Sequence, residues 1–356
     1  MKQQNSGHRS GGRIVMRISS TLRGAGAALV AIGALMSNAA ASSLGGPLVL
    51  ADEGSFFVRG TNERSEFADM RGAAPVAGTI RTGQMYVQFK IPAKSNSVPV
   101  ILVHGANHSG VTYETTPDGR EGWANYFVRS GFPVYVVDQA GRGRSGFNPT
   151  NINRAKAKSD TSSMPTIPIA TREAAWASYR LGPKYPEFWP DSRFPQAALD
   201  HYFSQAAPMG DGTLPGVFGE HTVAGLVALL EKIGPAVVLV HSQSGAYGLA
   251  AARAKPDLVR ALVSVEGDCA PMSDDDTTKI LNRVPLLSVW ADHSVGNKAR
   301  NGDERRNGCS GSVATIAAKG GPAKFMLLPD LGIKGNSHMM MVETNNLQIA
   351  DLIMPT

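Results

Sequence analysis

Val237-Val238-Leu239-Val240-His241-Ser242-Gln243-Ser244-Gly245 is the stretch that decides the fold. A short aliphatic, β-branched run ends on hydroxyls and a glycine, and residues 246–254 then read as a helix with Pro256 shortly beyond. A buried strand turning sharply into a helix is the setting in which a serine is held at a strained elbow with its hydroxyl presented to a ligand. The turn demands small neighbours, and the helix N-terminus points at the reacting centre. Ser244 and Gly245 meet that demand; Val240 does not. Two registers stay open. The strand end places Ser242 at the elbow, whereas Ser244, with Ser242 and Ala246 two residues to either side, fits the small-x-Ser-x-small spacing better. A structural serine on a turn is the non-catalytic alternative.

Working outward, residues 98–103, 133–137, 236–240, 261–265, 284–290 and 324–328 are short runs rich in Val, Leu and Ile, as strands buried on both faces of a parallel sheet require. Residues 56–59 and 85–91 read as two earlier strands, the second bounded by Gly83 and Pro92. Helical segments at 123–130, 221–232 and 246–254 fall between the runs, so the fold class is α/β, a layered sheet flanked by helices. Between the turn after the fourth strand and the helix before the fifth lie about seventy residues, 147–220, too many for a structureless loop. Residues 170–181 and 196–205 look helical there. The interval holds Trp176, Tyr179, Tyr185, Phe188, Trp189, Phe194, Tyr202 and Phe203. It reads as a cap over the site, with the aromatics first of all packing the insertion itself.

The N-terminus reads as a targeting segment. Arg9, Arg13, Arg17 and Arg23 lead into an apolar run over residues 25–36, and small residues follow, suiting cleavage after Ala41. A buried N-terminal helix is the alternative. Residues 1–41 carry five cations and no acid, so their removal takes the net charge from +6 to +1. The excess of base therefore belongs to the leader, and no basic helix or interleaved aromatic strip points to nucleic acid. No later run is long and apolar enough for a membrane span, so no stable membrane anchor is expected. The expected localisation is secreted or periplasmic. Cys269 and Cys309 are the two cysteines, and export favours their pairing as a disulfide over two free buried thiols. Neither their number nor their spacing makes a zinc site.

The chemistry lies at strand ends. Val100-Ile101-Leu102-Val103-His104-Gly105-Ala106-Asn107 is a strand opening into a His-Gly loop, which supplies oxyanion donors. The amides of Ala106 and Gln243 are the candidates, each worth about 3 to 4 kcal/mol to a tetrahedral intermediate when aimed at its oxygen. His104 reads as a packing residue beneath that loop. Asp138-Gln139-Ala140-Gly141-Arg142-Gly143-Arg144-Ser145 follows the fourth strand and reads as a structural turn, Asp138 bonding backbone near the oxyanion loop. In the chain order Ser, acid, His, the base falls on His338, after the last strand; His201, His221 and His293 fit less well. Two acids compete to orient it, Glu266 after the strand at 261–265 and Asp292 after the strand at 284–290.

These residues resemble a small family of secreted bacterial esterases in the α/β-hydrolase superfamily that use a Ser, His, Glu triad. The resemblance rests on His104-Gly105, Glu114-Thr115-Thr116-Pro117-Asp118-Gly119-Arg120, Gly122-Trp123 and the turn at residues 138–145. It continues through His241-Ser242-Gln243-Ser244-Gly245, Ser264-Val265-Glu266, Gly335-Asn336-Ser337-His338-Met339-Met340-Met341 and Asn345-Asn346-Leu347-Gln348. It covers the chain from about residue 55 to the end. It implies a mostly parallel central sheet with a cap inserted between the fourth and fifth core strands. By it Ser242 is the nucleophile, because a histidine at the strand end precedes it, His338 is the base and Glu266 the acid. Most of the superfamily uses an Asp after the later strand, which keeps Asp292 as the alternative acid. The sequence departs from the family at Ala106-Asn107, where the family can carry paired cysteines.

The domain reading is a signal peptide at 1–41, a catalytic domain at 42–146 and 221–356, and a cap at 147–220. The functional reading is cleavage of a carboxylic ester by acyl transfer, with no metal or organic cofactor implied. A lactonase or amidase with the same triad, or a catalytically silent binding protein of this fold, are the alternatives. The partner is a small-molecule ester or lactone with an apolar or aryl group; a homodimer is left open.

Overall fold

The computed structural model describes residues 47–66, 76–95, 98–269, 272–297 and 302–354. The leader and its cleavage site lie outside the described residues. Eight strands form one sheet: β1 (Leu50–Ser65), β2 (Gly78–Pro92), β3 (Val100–Val103), β4 (Val134–Asp138), β5 (Ala236–His241), β6 (Val259–Val265), β7 (Leu286–Trp290) and β8 (Ala323–Leu327). Their spatial order is β1-β2-β4-β3-β5-β6-β7-β8. β1 and β2 form a long antiparallel hairpin, β2 pairs antiparallel with β4, and β3 to β8 run parallel.

The aliphatic runs form the parallel strands because both faces of the sheet are covered. Along β3, Val100 and Leu102 join one core cluster while Ile101 and Val103 join the other. Val237 and Leu239 of β5 alternate with Val238 and Val240 in the same way. This two-residue period on two buried faces is what made the runs continuous rather than alternating in sequence. Nine helices occur among the described residues: α1 (Val111–Glu114), α2 (Trp123–Arg129), α3 (Thr150–Lys158), α4 (Arg172–Tyr179), α5 (Leu199–Ser204), α6 (Glu220–Ile233), α7 (Ser244–Ala254), α8 (Gly302–Ala318) and α9 (Asn346–Ile353). No helix of the described residues is long and apolar enough to cross a membrane.

The residues between β4 and α6 carry α3, α4 and α5. Their aromatics do more than fill a small core of their own. Trp176, Tyr179, Phe194 and Tyr202 are buried in the cluster that also holds Val100 and Leu102 of the sheet. Trp176 meets Phe188 edge-on at 4.6 Å, and Phe194 meets Tyr202 at 5.1 Å. The predicted helix at 170–181 is α4, and that at 196–205 is a 3₁₀ turn leading into α5. A disulfide joins Cys269 to Cys309 of α8, with Cα atoms 5.2 Å apart across 40 residues of sequence.

Candidate functional site

Order in the sheet reverses at β3, which lies between β4 and β5 although it precedes both. At such a switch point the C-terminal ends of neighbouring strands open a crevice. The loops after β3 and β5 both emerge there.

Ser242 follows β5 directly and has φ 53°, in the left-handed region that non-glycine residues rarely adopt. The turn is held on both sides: the Ser242 amide donates to Val265 O at 3.1 Å, and Ser242 O accepts from Gly245 N at 2.9 Å and Asp268 N at 3.1 Å. Close packing explains the neighbouring glycines. A Cβ on Gly245 would lie 2.5 Å from Asp268 N, and one on Gly105 would lie 2.7 Å from His241 Nδ1 and 3.0 Å from Ser242 Cβ. Ser244 has a different task. It is fully buried; its Oγ accepts from His241 N at 2.9 Å and has Val103 O at 3.0 Å and His241 O at 2.8 Å as acceptors for its proton. Its hydroxyl braces the turn from beneath.

His338 lies in the loop after β8, its backbone N–H on Tyr179 O at 3.0 Å and its carbonyl 3.0 Å from His241 Nε2. Its Nδ1 is 3.0 Å from Glu266 Oε2. A carboxylate only accepts, so Nδ1 carries the proton and Nε2 keeps its lone pair. Glu266 is fully buried and also has a left-handed backbone, φ 52°. Its second oxygen accepts from Arg180 Nη2 at 2.5 Å and Ala291 N at 2.7 Å. Burial would push this carboxyl up, but the Arg180 charge and the His338 hydrogen bond together hold it well below the usual range. His338 itself is lowered from the ordinary imidazole value, chiefly by burial and further by Arg180 and Arg305, against the pull of Glu266.

Asp292, the alternative acid, does not meet the imidazole. Its oxygens accept from His293 N at 2.8 Å and Gly335 N at 3.2 Å, and its own amide donates to Asn336 O at 3.0 Å. It braces the loop that carries His338. A second buried carboxylate, Glu343, holds that loop from the other side, accepting from Asn336 Nδ2 at 2.6 Å and Ser337 N at 2.8 Å. Burial pushes Glu343 up to about 7.

The loop after β3, with the candidate oxyanion donor Ala106, is tied down by four side chains. His104 Nε2 accepts from Gln139 N at 3.0 Å, and burial lowers its pKa to about 3, so it is a neutral packing group. Asp138 accepts from Gly110 N at 2.6 Å and Arg144 N at 2.7 Å, the backbone role read from its motif. Arg142, buried with Asp211, donates to Gly105 O of this loop at 3.4 Å and to Gln243 Oε1 in the turn after β5 at 2.9 Å. His108 donates from Nδ1 to Ala106 O at 2.7 Å and accepts at Nε2 from the Tyr202 hydroxyl at 3.0 Å, linking the loop to the insertion. Among the described residues the amides of Ala106 and Gln243 donate to no protein acceptor. Ala106, Gln243, Ser242 and His338 line one cavity of about 550 Å³, whose other walls include Ile169, Ala170, Ala174 and Met209 and the hydroxyl residues Thr171 and Ser178 from the insertion, and the Asp268–Arg305 ion pair.

Sequence reasoning missed Arg180, Arg142, Arg305 and Glu343. The three arginines act through partners 37 or more residues away, Arg142 from within a turn read only as structural, whereas Glu343 holds Asn336 and Ser337, seven and six residues before it. Among the described residues one set of metal-type donors comes together, Asp191, Asp292 and His293. None of the three lines the cavity, and His293 Nε2 is already on Asp191 Oδ1 at 3.0 Å.

A mostly parallel eight-stranded sheet with this order, with a serine in a left-handed turn after β5 and a His–Glu pair from later loops at the same cavity, is the architecture of an α/β hydrolase. No family model matches the chain. The probable secreted lipase phiG of Fungal sp. (strain ATCC 74256) is 29% identical over 332 residues, which is 78% of this chain and 87% of that protein. The solved structure of a novel bacterial esterase is 42% identical, with a TM-score of 0.81, covering 86% of this chain and 95% of that one. The chain belongs to the α/β-hydrolase superfamily, and within it to the carboxylic-ester hydrolases.

Proposed function

We propose that the protein is an exported serine esterase in which Ser242 is the nucleophile, His338 the proton carrier and Glu266 the acid that orients it. His338 Nε2 takes the hydroxyl proton as Ser242 Oγ attacks the ester carbonyl. The negative oxygen of the tetrahedral intermediate lies against the amides of Ala106 and Gln243. The C–O bond to the alcohol breaks as His338 returns the proton to the leaving oxygen. Water, deprotonated by the same imidazole, then releases the acid and restores Ser242. Glu266 keeps the Nδ1 tautomer and stabilises the imidazolium.

The observation that carries this reading is the convergence on one cavity of Ser242 in its left-handed turn and of His338 on Glu266. Residues 147–220 act as the cap, and their apolar wall favours an apolar or aryl group on the substrate. Assay of the purified protein on aryl esters, alkyl esters and lactones tests the function: aryl and short alkyl esters should turn over fastest. Turnover of lactones or amides with inert esters would contradict it. Export with loss of residues 1–41 follows from the leader and from the secreted relative. Intact mass of the exported protein should start near Ser42; a retained leader would overturn this part.

A further inference from the structure

We propose that Arg180, delivered by the insertion, is a positioning residue of the active site: it fixes the Glu266 carboxylate for His338. The proposal rests on the assignment of Ser242, His338 and Glu266 above. Arg180 closes α4 with φ 57° and is 4% exposed. Its guanidinium bridges two loops of the sheet, donating from Nη2 to Glu266 Oε1 at 2.5 Å and from Nε to Asp292 O at 3.1 Å. Its carbonyl accepts from the Trp189 indole at 3.1 Å, so its backbone is pinned as well. The residue before it grips the other partner: the Tyr179 ring lies parallel to His338 at 5.7 Å and 10°, and Tyr179 O accepts the His338 amide. Two consecutive residues of the insertion therefore hold both members of the His–Glu pair.

The chemistry follows from the division of the carboxylate. Oε2 serves His338, while Oε1 is saturated by Arg180 and Ala291 N–H, so the group cannot rotate away from the imidazole. The planar fork reaches acceptors on two separate loops at once, which an ammonium on a flexible stem does less well. Electrostatically the guanidinium offsets part of the Glu266 charge that favours imidazolium. The groups facing His338 are Glu266 after β6, Arg180 after α4, Arg305 on α8, His241 at the end of β5, and His108 on the oxyanion loop. Burial lowers both of those histidines, His108 to about 4, leaving them neutral. Glu266 thus favours the cation while the two arginines oppose it. Removal of Arg180 should raise the pH at which His338 gains its proton.

The test compares Arg180→Met and Arg180→Lys in the full chain, with folding checked by circular dichroism and kcat and KM measured for an aryl ester across pH. Arg180→Met should lower kcat by roughly ten- to a hundredfold with KM changed less than about threefold. Its acid limb should move up by about one pH unit. Arg180→Lys should recover most of kcat and keep the acid limb near that of the wild type. An unmoved acid limb in Arg180→Met, or equal loss in both variants, overturns the proposal. If the Met variant fails to fold, the Lys variant decides alone: an acid limb shifted as far as that expected for Met overturns it. Failure of the underlying assignment is seen separately, as wild-type labelling by a fluorophosphonate at a residue other than Ser242.

Discussion

The loops after β6 and β7 begin alike and end in different roles. Each parallel strand delivers a carboxylate to the same edge of the sheet, Glu266 one residue after β6 and Asp292 two residues after β7. Glu266 sits in a left-handed turn, and its longer side chain reaches His338 with one oxygen while the other is held from the insertion and from Ala291. The shorter Asp292 turns back onto the amides of His293 and Gly335, and so secures the loop on which His338 rides. Position after a strand is therefore insufficient to make a catalytic acid. Reach, backbone turn and the gathering of the other donors on one oxygen, which leaves Glu266 Oε2 for the imidazole while both Asp292 oxygens are taken by backbone, separate the two.

The largest effect expected from this contrast lies in the two amide replacements. Glu266→Gln should cut kcat by roughly a thousandfold or more, since the tautomer and the charge that stabilises imidazolium are both lost. It also leaves Arg180 buried without its partner, a stability loss of about 3 to 5 kcal/mol. Unfolding curves must therefore accompany the kinetics, and the assay belongs below the variant's transition. Asp292→Asn keeps one acceptor for the loop and should cost less than about tenfold. An inactive, folded Asp292→Asn beside a nearly active Glu266→Gln would exchange the two roles.

The disulfide sharpens the same comparison, because Cys269 lies three residues beyond Glu266 and ties that loop, not the loop of Asp292, to α8. Reduction should lower stability by about 4 kcal/mol in the chain-entropy account of a 40-residue loop. Chemical denaturation with and without reductant reads this directly, and an unchanged midpoint would count against it. The next effect concerns Glu343, which shares with Asp292 the task of holding residues 335–338. Its carboxyl is near 7 when folded and about 4.3 when unfolded, so between those values the folded chain keeps a proton that the unfolded chain has lost. Its contribution is complete below about pH 4.3 and fades as pH rises through 7, by roughly 3 kcal/mol. Wild type should thus lose stability relative to Glu343→Gln between pH 5 and 8; parallel curves would remove Glu343 as the cause.

What was legible in the sequence followed from how local each signal is. The parallel strands announced themselves because burial on both faces leaves few polar residues within them, none in β3 and only the terminal His241 in β5. β1 was visible only near residues 56–59, since most of its residues are exposed and polar. α1, α3, α8 and α9 were missed: α1 is a single turn, α3 is polar along its length, α8 carries Gly302, Gly308 and Gly311 and buries only Cys309, Val313 and Ile316 besides Gly302, and α9 is eight residues long. At the candidate site, Ser242 and Glu266 stood out because each directly follows a strand, and His338, eleven residues beyond β8, because of its place in the chain order. Arg180 was not, because its partner lies 86 residues away and nothing beside it in sequence differs from an ordinary helix end.

The central claim is that the strained serine after β5, and not its neighbour in the turn, performs the attack. Labelling with a fluorophosphonate, followed by proteolysis and mass spectrometry of the peptide holding both serines, tests it most directly. The account predicts one adduct, on Ser242, with labelling abolished in Ser242→Ala and retained in Ser244→Ala. An adduct on Ser244, or labelling that survives in Ser242→Ala, would contradict it.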